Sequence, residues 1–299
     1  MIEISVIVPT RNNSGPLTIC LNALENQSID RSRYEVIVVD NGSNPNHLSV
    51  KEQFPDVIWL SESRPGSYSA RNRGLQQAQG KFIAFTDSDC IPDRDWLLNA
   101  VQYLDDSNIS AIGGRIEFMD PSDRGPNLYE IIEDAMFDMV DHEEVVLNQK
   151  FAMTANLIAL KTVFDRVGPF DDSLLSSGDR EWGQRAIARG EKMAYAKSVI
   201  IKHPRRSSFW PICIKLRRVL GGKIHLAKKR YPSEGLKPIL KEMHKRSLLN
   251  TSILKFIWSS KRVSDPGMRS KLFVVMTTLM AITTIEGLLV VIGKTPHRG

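Results

Sequence analysis

Residues 67–89 read SYSARNRGLQQAQGKFIAFTDSD, and this stretch decides the fold class. Its first part is rich in residues compatible with a helix and ends at Gly80, a typical helix stop. The following residues, 81–86, are almost all apolar, as in a buried strand. Asp87 and Asp89 come directly after. The stretch therefore predicts a helix, a strand and two carboxylates at the carboxyl end of that strand.

Strand and helix patterns alternate on both sides of this stretch. Short β-branched runs at 4–8, 35–39 and 57–60 predict further strands, and 193–201 predicts a later one. This alternation is typical of an α/β fold with a mostly parallel central sheet and helices on both faces. In such folds ligands bind at the carboxyl ends of the strands, so polar residues directly after a strand are the first candidates for a site.

Three predicted strands end in such polar residues: Thr10 and Arg11, Asp40, and the pair Asp87 and Asp89. Carboxylates at positions i and i+2 can share a divalent cation with a diphosphate. Two like charges after an apolar strand would be costly without a cation, which favours a metal or ribose site. For Asp40 the alternative is an Asx-turn with the residues that follow.

A second Asp-x-Asp, Asp93 and Asp95, comes before Trp96. Its acids would lie in the first turn of a helix, where capping and the helix dipole explain them. Arg71 also lies near a predicted helix start, where a cation is unfavourable unless an anion is close by. A bound diphosphate would supply that anion, and the alternative is a solvated surface arginine.

Five ordered segments carry a resemblance to a known family: SVIVPTRNN, YEVIVVDNGS, PGSYSARNRGLQQAQGKFIAFTDSD, NLIALKTVFDRVGPFDDSL and SGDREWGQRAIARG. Over residues 1–205 they resemble family 2 glycosyltransferases, which have the GT-A fold. The resemblance implies an inverting hexosyltransferase that uses a nucleotide-diphosphate sugar, with UDP-sugars first, and Mg²⁺ or Mn²⁺. Its acceptor would be the hydroxyl of a saccharide or a lipid-linked molecule, in polysaccharide, cell-envelope or glycolipid synthesis.

The resemblance also implies roles for residues on the donor side. A nucleotide pocket would be formed by Thr10, Arg11, Asp40, Gly66, Arg71 and Asp87. Asp89 would bind the metal, and His203, which follows the last predicted strand, would complete the metal site. For His203 the alternative is an ordinary surface or core histidine. Arg205 and Arg206 are expected to close over the phosphates.

The acceptor side is expected around Asp179. Family members commonly have two adjacent acids where this chain has Gly178 and Asp179, and the second is the usual general base. The resemblance therefore implies Asp179 as the base, with Glu181 as its competitor. Asp179 could also cap the helix predicted at 180–189. Trp182 is expected either to carry an acceptor sugar or to lie in the core.

Charge divides the chain into an acidic and a basic part. The formal charge is +6, but residues 1–201 have 19 Lys+Arg against 30 Asp+Glu, and residues 202–299 have 21 against 4. A basic tail predicts an anionic partner. No recognisable nucleic-acid module is present, so an anionic membrane surface is expected and nucleic acid is not. The expected domains are a catalytic domain at 1–205, a basic amphipathic helical region at 206–270 and a membrane segment at 271–294.

Residues 272–292 are apolar apart from Glu286 and lie between Lys271 and Lys294. The segment is long enough to span a bilayer, and the alternative is a packed or interfacial helix. Basic residues concentrate before the segment, which would keep the catalytic domain in the cytoplasm. The N-terminus does not read as a signal peptide, which fits the same location.

Cys20, Cys90 and Cys213 show neither a disulfide nor a zinc spacing, which fits a reducing compartment. Two other functional classes remain open. A nucleotidyltransferase would also need a nucleotide pocket and metal carboxylates. A non-catalytic membrane-surface protein would explain the basic tail, but it would leave the ordered acidic motifs unexplained.

Overall fold

A computed structural model of the chain describes residues 2–45, 47–105, 108–119, 125–138, 142–234, 237 and 265–293. The chain divides into two compact units. The first contains Met1–Met119, Val140–Ser173 and Gly178–Pro204. The second contains Asp120–Met139, Leu174–Ser177 and Arg205–Gly299.

The first unit is built on one eight-stranded sheet. Its strands are β1 (Ile4–Thr10), β2 (Tyr34–Asp40), β3 (Ile58–Ser61), β4 (Phe82–Phe85), β5 (Ile91–Pro92), β6 (Ala111–Phe118), β7 (Leu157–Leu160) and β8 (Met193–His203). Its helices are α1 (Ser14–Glu25), α2 (Leu48–Gln53), α3 (Ser67–Gln77), α4 (Trp96–Asp105), α6 (His142–Leu147), α7 (Lys161–Val167) and α8 (Gly178–Ala188). The second unit contains α5 (Leu128–Asp138), α9 (Phe209–Arg230) and α10 (Pro266–Val291).

The strands follow the order β3-β2-β1-β4-β7-β6-β8-β5. The first four are parallel, as are β6 and β8, whereas β7 runs antiparallel to both of its neighbours. The α/β expectation is confirmed, and the sheet is mixed. Each parallel connection crosses over through a helix, which is why strand and helix patterns alternate in the sequence.

Apolar burial places α1 and α3 against the sheet. The buried face of α1 consists of Leu17, Cys20, Leu21 and Leu24. Each large aliphatic side chain contributes about 1.5–3 kcal/mol by leaving water. Helix α3 approaches β1 closely, because a Cβ at Gly74 would lie 2.5 Å from a methyl carbon of Ile7. The predicted helix at 67–79 is confirmed and ends at Gln77.

Register brings the strand ends of the site together. Thr10 and Asp40 are paired residues on adjacent parallel strands, and Phe85 of β4 pairs with Ile7 of β1. The polar residues that follow these strands therefore lie at one edge of the sheet. This edge is the one that the sequence predicted as the candidate site.

In the second unit, three helices pack around an apolar cluster from α5, α9 and α10, namely Ile131, Ile132, Ile212, Cys213, Leu216, Leu272, Met276 and Leu279. Helix α9 lies within the region predicted at 206–270 to be helical, and the predicted helix at 272–292 begins earlier, at Pro266. By length and composition α10 could cross a membrane. Nearly all of the amphipathic region predicted at 236–262 lies outside the described residues.

One face of α10 is buried and the other is exposed. Glu286 lies on the buried face and accepts hydrogen bonds from Arg217 of α9 at 2.9 and 3.1 Å. Lys228 donates to the carbonyl oxygens of Val290 and Val291 at the end of α10. The helix is therefore tied to α9 at a buried ion pair and at its C-terminus. Its exposed face carries the large apolar side chains Phe273, Val274, Ile285 and Leu288.

Candidate active site

The ends of β1 and β2 are joined by a small polar network. Oδ1 of Asp40 accepts from the backbone N–H and the hydroxyl of Ser43, at 3.0 and 2.6 Å, so Asp40 caps the loop that follows it. Nε2 of His47 lies 2.9 Å from that hydroxyl and 3.3 Å from Oγ1 of Thr10. Arg11 follows on the exposed surface. The network fixes Thr10 and Asp40 beside each other, and Asp40 keeps part of its side chain accessible.

The loop before α3 is attached to the end of β2 through Asn41. Its side-chain amide donates to the carbonyl oxygens of Glu62 and Arg64, at 2.9 and 2.7 Å. Its Oδ1 accepts the backbone N–H of Gly66 at 2.8 Å. Gly66 has φ of 128°, a conformation that side-chain-bearing residues rarely adopt. The glycine predicted for close backbone approach is therefore also required by the backbone geometry.

Arg71 is the buried cation of the site. It is 3% exposed, forms an ion pair with Asp87, and its guanidinium lies 5.6 Å from the ring centre of Tyr68. Its Nε is buried and has no hydrogen-bond partner within the described part of the chain. A buried charged donor without a partner is costly, so this atom fits an anionic ligand. The surface-arginine alternative is wrong.

Asp179 begins α8 beside Tyr68. The Tyr68 hydroxyl donates to Oδ1 of Asp179 at 3.2 Å. A Cβ at Gly178 would lie 2.7 Å from the Tyr68 ring, which also packs against Phe170 with ring centres 5.6 Å apart. The ring thus occupies the space that a side chain at position 178 would need. Tyr68 and Gly178 fit each other sterically.

Burial raises the pKa of the Asp179 carboxyl above its usual value. The backbone N–H of Arg180, the charge of Arg71 and the Tyr68 hydroxyl lower this pKa and offset part of the effect. A raised pKa makes a carboxylate a stronger base, which favours general-base catalysis. Asp179 therefore has the electrostatic environment of a general base.

Asp89, Cys90 and His203 bring one oxygen, one sulfur and one nitrogen within 4.8 Å of one another. Nδ1 of His203 lies 2.7 Å from the carbonyl oxygen of Pro204, and since a carbonyl only accepts, Nδ1 carries a proton. Nε2 then presents its lone pair, the arrangement found in metal-ligating histidines. The donor set at Asp89 and His203 fits a divalent cation. Burial, with the charges of Asp87 and Asp89, raises the pKa of the Cys90 thiol.

Two residues predicted for the acceptor side make contacts with neighbouring side chains. Trp182 is 0% exposed, stacks on Phe164 with ring centres 4.6 Å apart, and donates to the carbonyl oxygen of Gly168 at 3.0 Å. The prediction of Trp182 as an acceptor platform is wrong, because core packing covers its ring. Glu181 forms two hydrogen bonds with Arg185, at 2.8 and 2.9 Å, one turn along α8.

Arg205 and Arg206 are held in ion pairs within the second unit. Arg205 donates to Asp134 at 2.6 Å, and Glu133 accepts from Arg206 at 2.5 Å and from Lys215 at 2.8 Å. Burial alone would raise the pKa of Glu133, but the charges of Lys215 and Arg206 outweigh it and hold this pKa below its usual value. Phosphate binding by the two arginines stays a prediction, and it would require them to leave these carboxylates.

Comparison with known proteins decides the family. Residues 5–167 match the family described as Glycosyl transferase family 2. The chain belongs to glycosyltransferase family 2. Over 228 residues it is 35% identical to glycosyltransferase AglE of Haloferax volcanii, which covers 75% of this chain and 73% of AglE. This glycosyltransferase is therefore an enzyme of the class that the five segments predicted.

A second relative is the poly(ribitol-phosphate) beta-N-acetylglucosaminyltransferase TarS of Staphylococcus aureus, 30% identical over 202 residues. The match covers 65% of this chain and only about a third, 34%, of TarS.

Solved structures support the fold of this family 2 glycosyltransferase. The mannosyltransferase PcManGT from Pyrobaculum calidifontis, in complex with GDP-Man and Mn²⁺, aligns with a TM-score of 0.63 at 19% identity, over 96% of this chain and 86% of PcManGT. S. aureus TarS 1–349 in complex with UDP-GlcNAc aligns with a TM-score of 0.55 at 19% identity, over 96% of this chain and 91% of that structure. The expected GT-A type α/β fold is confirmed.

Two residues of the candidate site, Tyr68 and Cys90, were not predicted from the sequence. Tyr68 lies inside one of the quoted segments, and the unusual Gly178 was the signal that a large side chain fills the adjacent space. Cys90 directly follows Asp89, but its spacing to the other cysteines gave no sign of a metal ligand. His203, the third residue of this group, is more than a hundred residues away in the sequence and meets Cys90 only in the fold.

Proposed function

We propose that this enzyme transfers a sugar, with inversion, from a nucleoside-diphosphate donor to an acceptor hydroxyl, with Asp179 as the general base. The observation that carries the proposal is the hydrogen bond between the Asp179 carboxylate and Tyr68 in an environment that raises the pKa of this carboxyl. An acceptor hydroxyl is a weak nucleophile, and a positioned carboxylate removes its proton as the new bond forms. Such a base contributes about 10²–10⁴-fold to the rate.

Asp179 is a better candidate for the base than Glu181. Glu181 is already engaged in an ion pair with Arg185 one turn along α8, so its carboxylate is less available to an acceptor hydroxyl. Among the described residues Asp179 forms no such ion pair, and its carboxylate is instead stabilised by hydrogen bonds and by the charge of the nearby Arg71. These contacts support Asp179 as the general base and a structural role for Glu181.

The donor is proposed to bind at the carboxyl ends of β1, β2 and β4. Thr10, Arg11, Asp40 and Gly66 would line the base and ribose, and Asp87 would lie near the ribose. Arg71, held by Asp87, would direct its Nε to an anionic oxygen of the donor. A UDP-sugar is the first donor to test, because UDP-GlcNAc is the ligand bound to TarS. GDP-sugars are second, because GDP-Man is the ligand of PcManGT.

Asp89 and His203 would hold Mg²⁺ or Mn²⁺. When bound, such a cation stabilises negative charge on a departing diphosphate. Nδ1 of His203 stays bonded to the Pro204 carbonyl, which fixes the ring with Nε2 directed away from it. These contacts support Asp89 and His203 as the residues that would bind the cation. PcManGT was solved in complex with Mn²⁺, so Mn²⁺ is the first cation to test.

The second unit is proposed to hold the enzyme on the cytoplasmic face of a membrane, through the exposed apolar side of α10. To span the membrane, α10 would have to separate its buried face from α9 and break the Arg217–Glu286 ion pair. A helix that lies in the membrane interface keeps these contacts and is therefore the better fit. The excess of basic residues after position 201 would add electrostatic attraction to anionic lipids. The acceptor is accordingly proposed to be lipid-linked or presented at that surface, in cell-envelope, polysaccharide or glycolipid synthesis.

Donor hydrolysis and transfer by the purified full chain test the proposal. UDP- and GDP-sugars are each incubated with Mn²⁺ or Mg²⁺, with and without vesicles that contain polyprenyl-phosphate or glycolipid acceptors, and the released nucleotide diphosphate is measured. We expect release with at least one donor, and faster release with acceptor. Binding to vesicles without any turnover would instead support the non-catalytic alternative. Release of inorganic pyrophosphate from a sugar phosphate and a nucleoside triphosphate would support the nucleotidyltransferase.

A further inference from the structure

We propose that Asp89, Cys90 and His203 form a three-ligand site for a thiophilic divalent cation, Zn²⁺, in which Cys90 binds as a thiolate. The proposal rests on the proposed function in one respect, since Asp89 and His203 are the residues assigned there to Mg²⁺ or Mn²⁺. The proposal adds Cys90, which directly follows Asp89 in the sequence, as a third ligand. It also adds a preference for Zn²⁺ that results from the sulfur of this residue. Zn²⁺ would therefore compete with Mg²⁺ or Mn²⁺ for the same two residues.

The three ligand atoms are close enough for one cation. They lie within 4.8 Å of one another, and Sγ of Cys90 is 4.0 Å from Oδ1 of Asp89. Ligands about 2.0–2.3 Å from a tetrahedral zinc stand about 3.5 Å apart. Closure thus needs side-chain movements of about 1 Å, which a small rotation of the Asp89 side chain can supply.

The histidine is already oriented for metal binding. The hydrogen bond from Nδ1 to the Pro204 carbonyl fixes the tautomer, and the Phe118 ring packs edge to face against the imidazole with ring centres 6.2 Å apart. The ring therefore keeps its lone pair at Nε2 with little rotational freedom. Metal-binding histidines use this arrangement, in which a backbone carbonyl acts as the partner of the second nitrogen.

The donor set selects the metal. A thiolate is a soft ligand that favours Zn²⁺ over the hard cations Mg²⁺ and Mn²⁺, and divalent affinities rise from Mn²⁺ to Zn²⁺ for a given site. Three protein ligands leave a fourth tetrahedral position for water or for a diphosphate oxygen, as in catalytic zinc sites. Asp89 and His203 are partly exposed, so the cation can enter from their side, whereas Cys90 is fully buried.

Binding exchanges a proton for the metal. The cation forms a bond to Sγ of Cys90, the S–H bond breaks, and the proton leaves to solvent, so no oxidant or reductant takes part. The carboxylate of Asp89 supplies a second negative ligand, which offsets much of the cation's charge in this partly buried place. Removing the sulfur should therefore weaken Zn²⁺ binding far more than Mn²⁺ binding.

Cobalt titration of the full chain tests the site, because Co²⁺ follows zinc in geometry and gives a thiolate-to-metal charge-transfer band in the near ultraviolet. We expect this band in the wild type, its loss on addition of Zn²⁺, and its absence in Cys90→Ser. Zn²⁺ affinity, measured by calorimetry, should fall by at least tenfold in Cys90→Ser. Cys20→Ser and Cys213→Ser change the other two cysteines of the chain and should keep the band.

A wild type without the band, or a band that persists in Cys90→Ser, would overturn the proposal. If Cys90→Ser does not fold, His203→Gln is measured in its place. We expect this variant to bind Co²⁺ at least tenfold more weakly than the wild type. Because Cys90 is retained, the thiolate-to-cobalt band should still appear at high Co²⁺ concentration. Unchanged Co²⁺ affinity in His203→Gln would also count against the site. The band needs no turnover, so it separates this proposal from the proposed function. Mn²⁺-dependent donor binding without a cobalt band would support the proposed function and contradict the zinc site.

Discussion

The hydroxyl of Tyr68 donates a hydrogen bond to Oδ1 of Asp179, 111 residues further along the chain, at 3.2 Å. The same ring fills the space beside Gly178, where a Cβ would lie 2.7 Å from it. Family members commonly have an acid at this position, and here the steric demand of Tyr68 excludes any side chain. One tyrosine therefore accounts both for the glycine and for the position of the proposed base.

Tyr68→Phe removes the hydroxyl that stabilises the Asp179 carboxylate, so the pKa of Asp179 should rise further above its usual value. A base must be unprotonated, so activity falls as pH drops through this pKa. We expect the acid limb of the kcat/KM profile to move to higher pH, with about a tenfold loss at a pH on that limb and little loss well above it. Tyr231→Phe, at an exposed position of the second unit, is the control. An unchanged acid limb would show that the hydroxyl does not act on the base.

Gly178→Ala places a methyl group against the Tyr68 ring and should destabilise the protein by about 1–3 kcal/mol, measured by chemical unfolding. Activity should also fall, because Asp179 is the next residue. The matched control is Gly15→Ala in α1, where an added Cβ meets no described atom within 4 Å. That change should be neutral or slightly stabilising, since alanine favours a helix by about 0.5–1 kcal/mol over glycine. Equal effects of the two substitutions would contradict the steric argument.

Arg71→Gln should weaken donor binding by about 10–100-fold in calorimetric titration, because a hydrogen bond from a charged donor contributes about 1.5–3 kcal/mol. The loss should appear in the binding of the free nucleoside diphosphate as well. Arg73 lies two residues further along α3 and donates to Gln76 at the helix surface. Arg73→Gln should change the affinity by less than about twofold. Similar losses in both variants would point to general electrostatics rather than to the buried guanidinium.

Asp179→Asn keeps the shape of the side chain and removes its basicity. We expect kcat to fall by about 10²–10⁴-fold while the donor dissociation constant changes only a few-fold, because the base acts on the acceptor. Glu181→Gln should lose much less activity and should lower stability through the broken pair with Arg185. A near-normal kcat in Asp179→Asn together with a lost kcat in Glu181→Gln would exchange the two roles.

Ile285→Glu combined with Leu288→Glu places charges on the exposed face of α10 and should lower binding to anionic vesicles by more than tenfold. Burial of each of these side chains in the membrane interface is worth about 1.5–3 kcal/mol, and salt does not screen it. Ile19→Glu changes a similarly exposed isoleucine of α1 and should leave vesicle binding unchanged. Equal sedimentation of all variants with vesicles would contradict attachment through α10.

The sequence determined the strand ends and their order. Local apolar runs predicted strands close to those observed, and the rule that parallel strands end at one edge predicted Thr10 and Asp40 as neighbours. The helical character of α3 and of α9 also followed from the residues within each segment. These features could be predicted because each depends on residues that are close in the chain.

The tertiary structure alone decided the contacts between distant segments. Trp182 could have faced solvent or the core by sequence, and only the packing of Phe164 on its ring settles the choice. The contact of Tyr68 with Gly178, the meeting of Cys90 with His203 and the buried pair of Arg217 with Glu286 each join residues from different elements. The spacing of apolar residues in the sequence describes a single helix or strand. It does not determine the distance between two such elements. Such contacts are fixed only when the packed elements bring the side chains together.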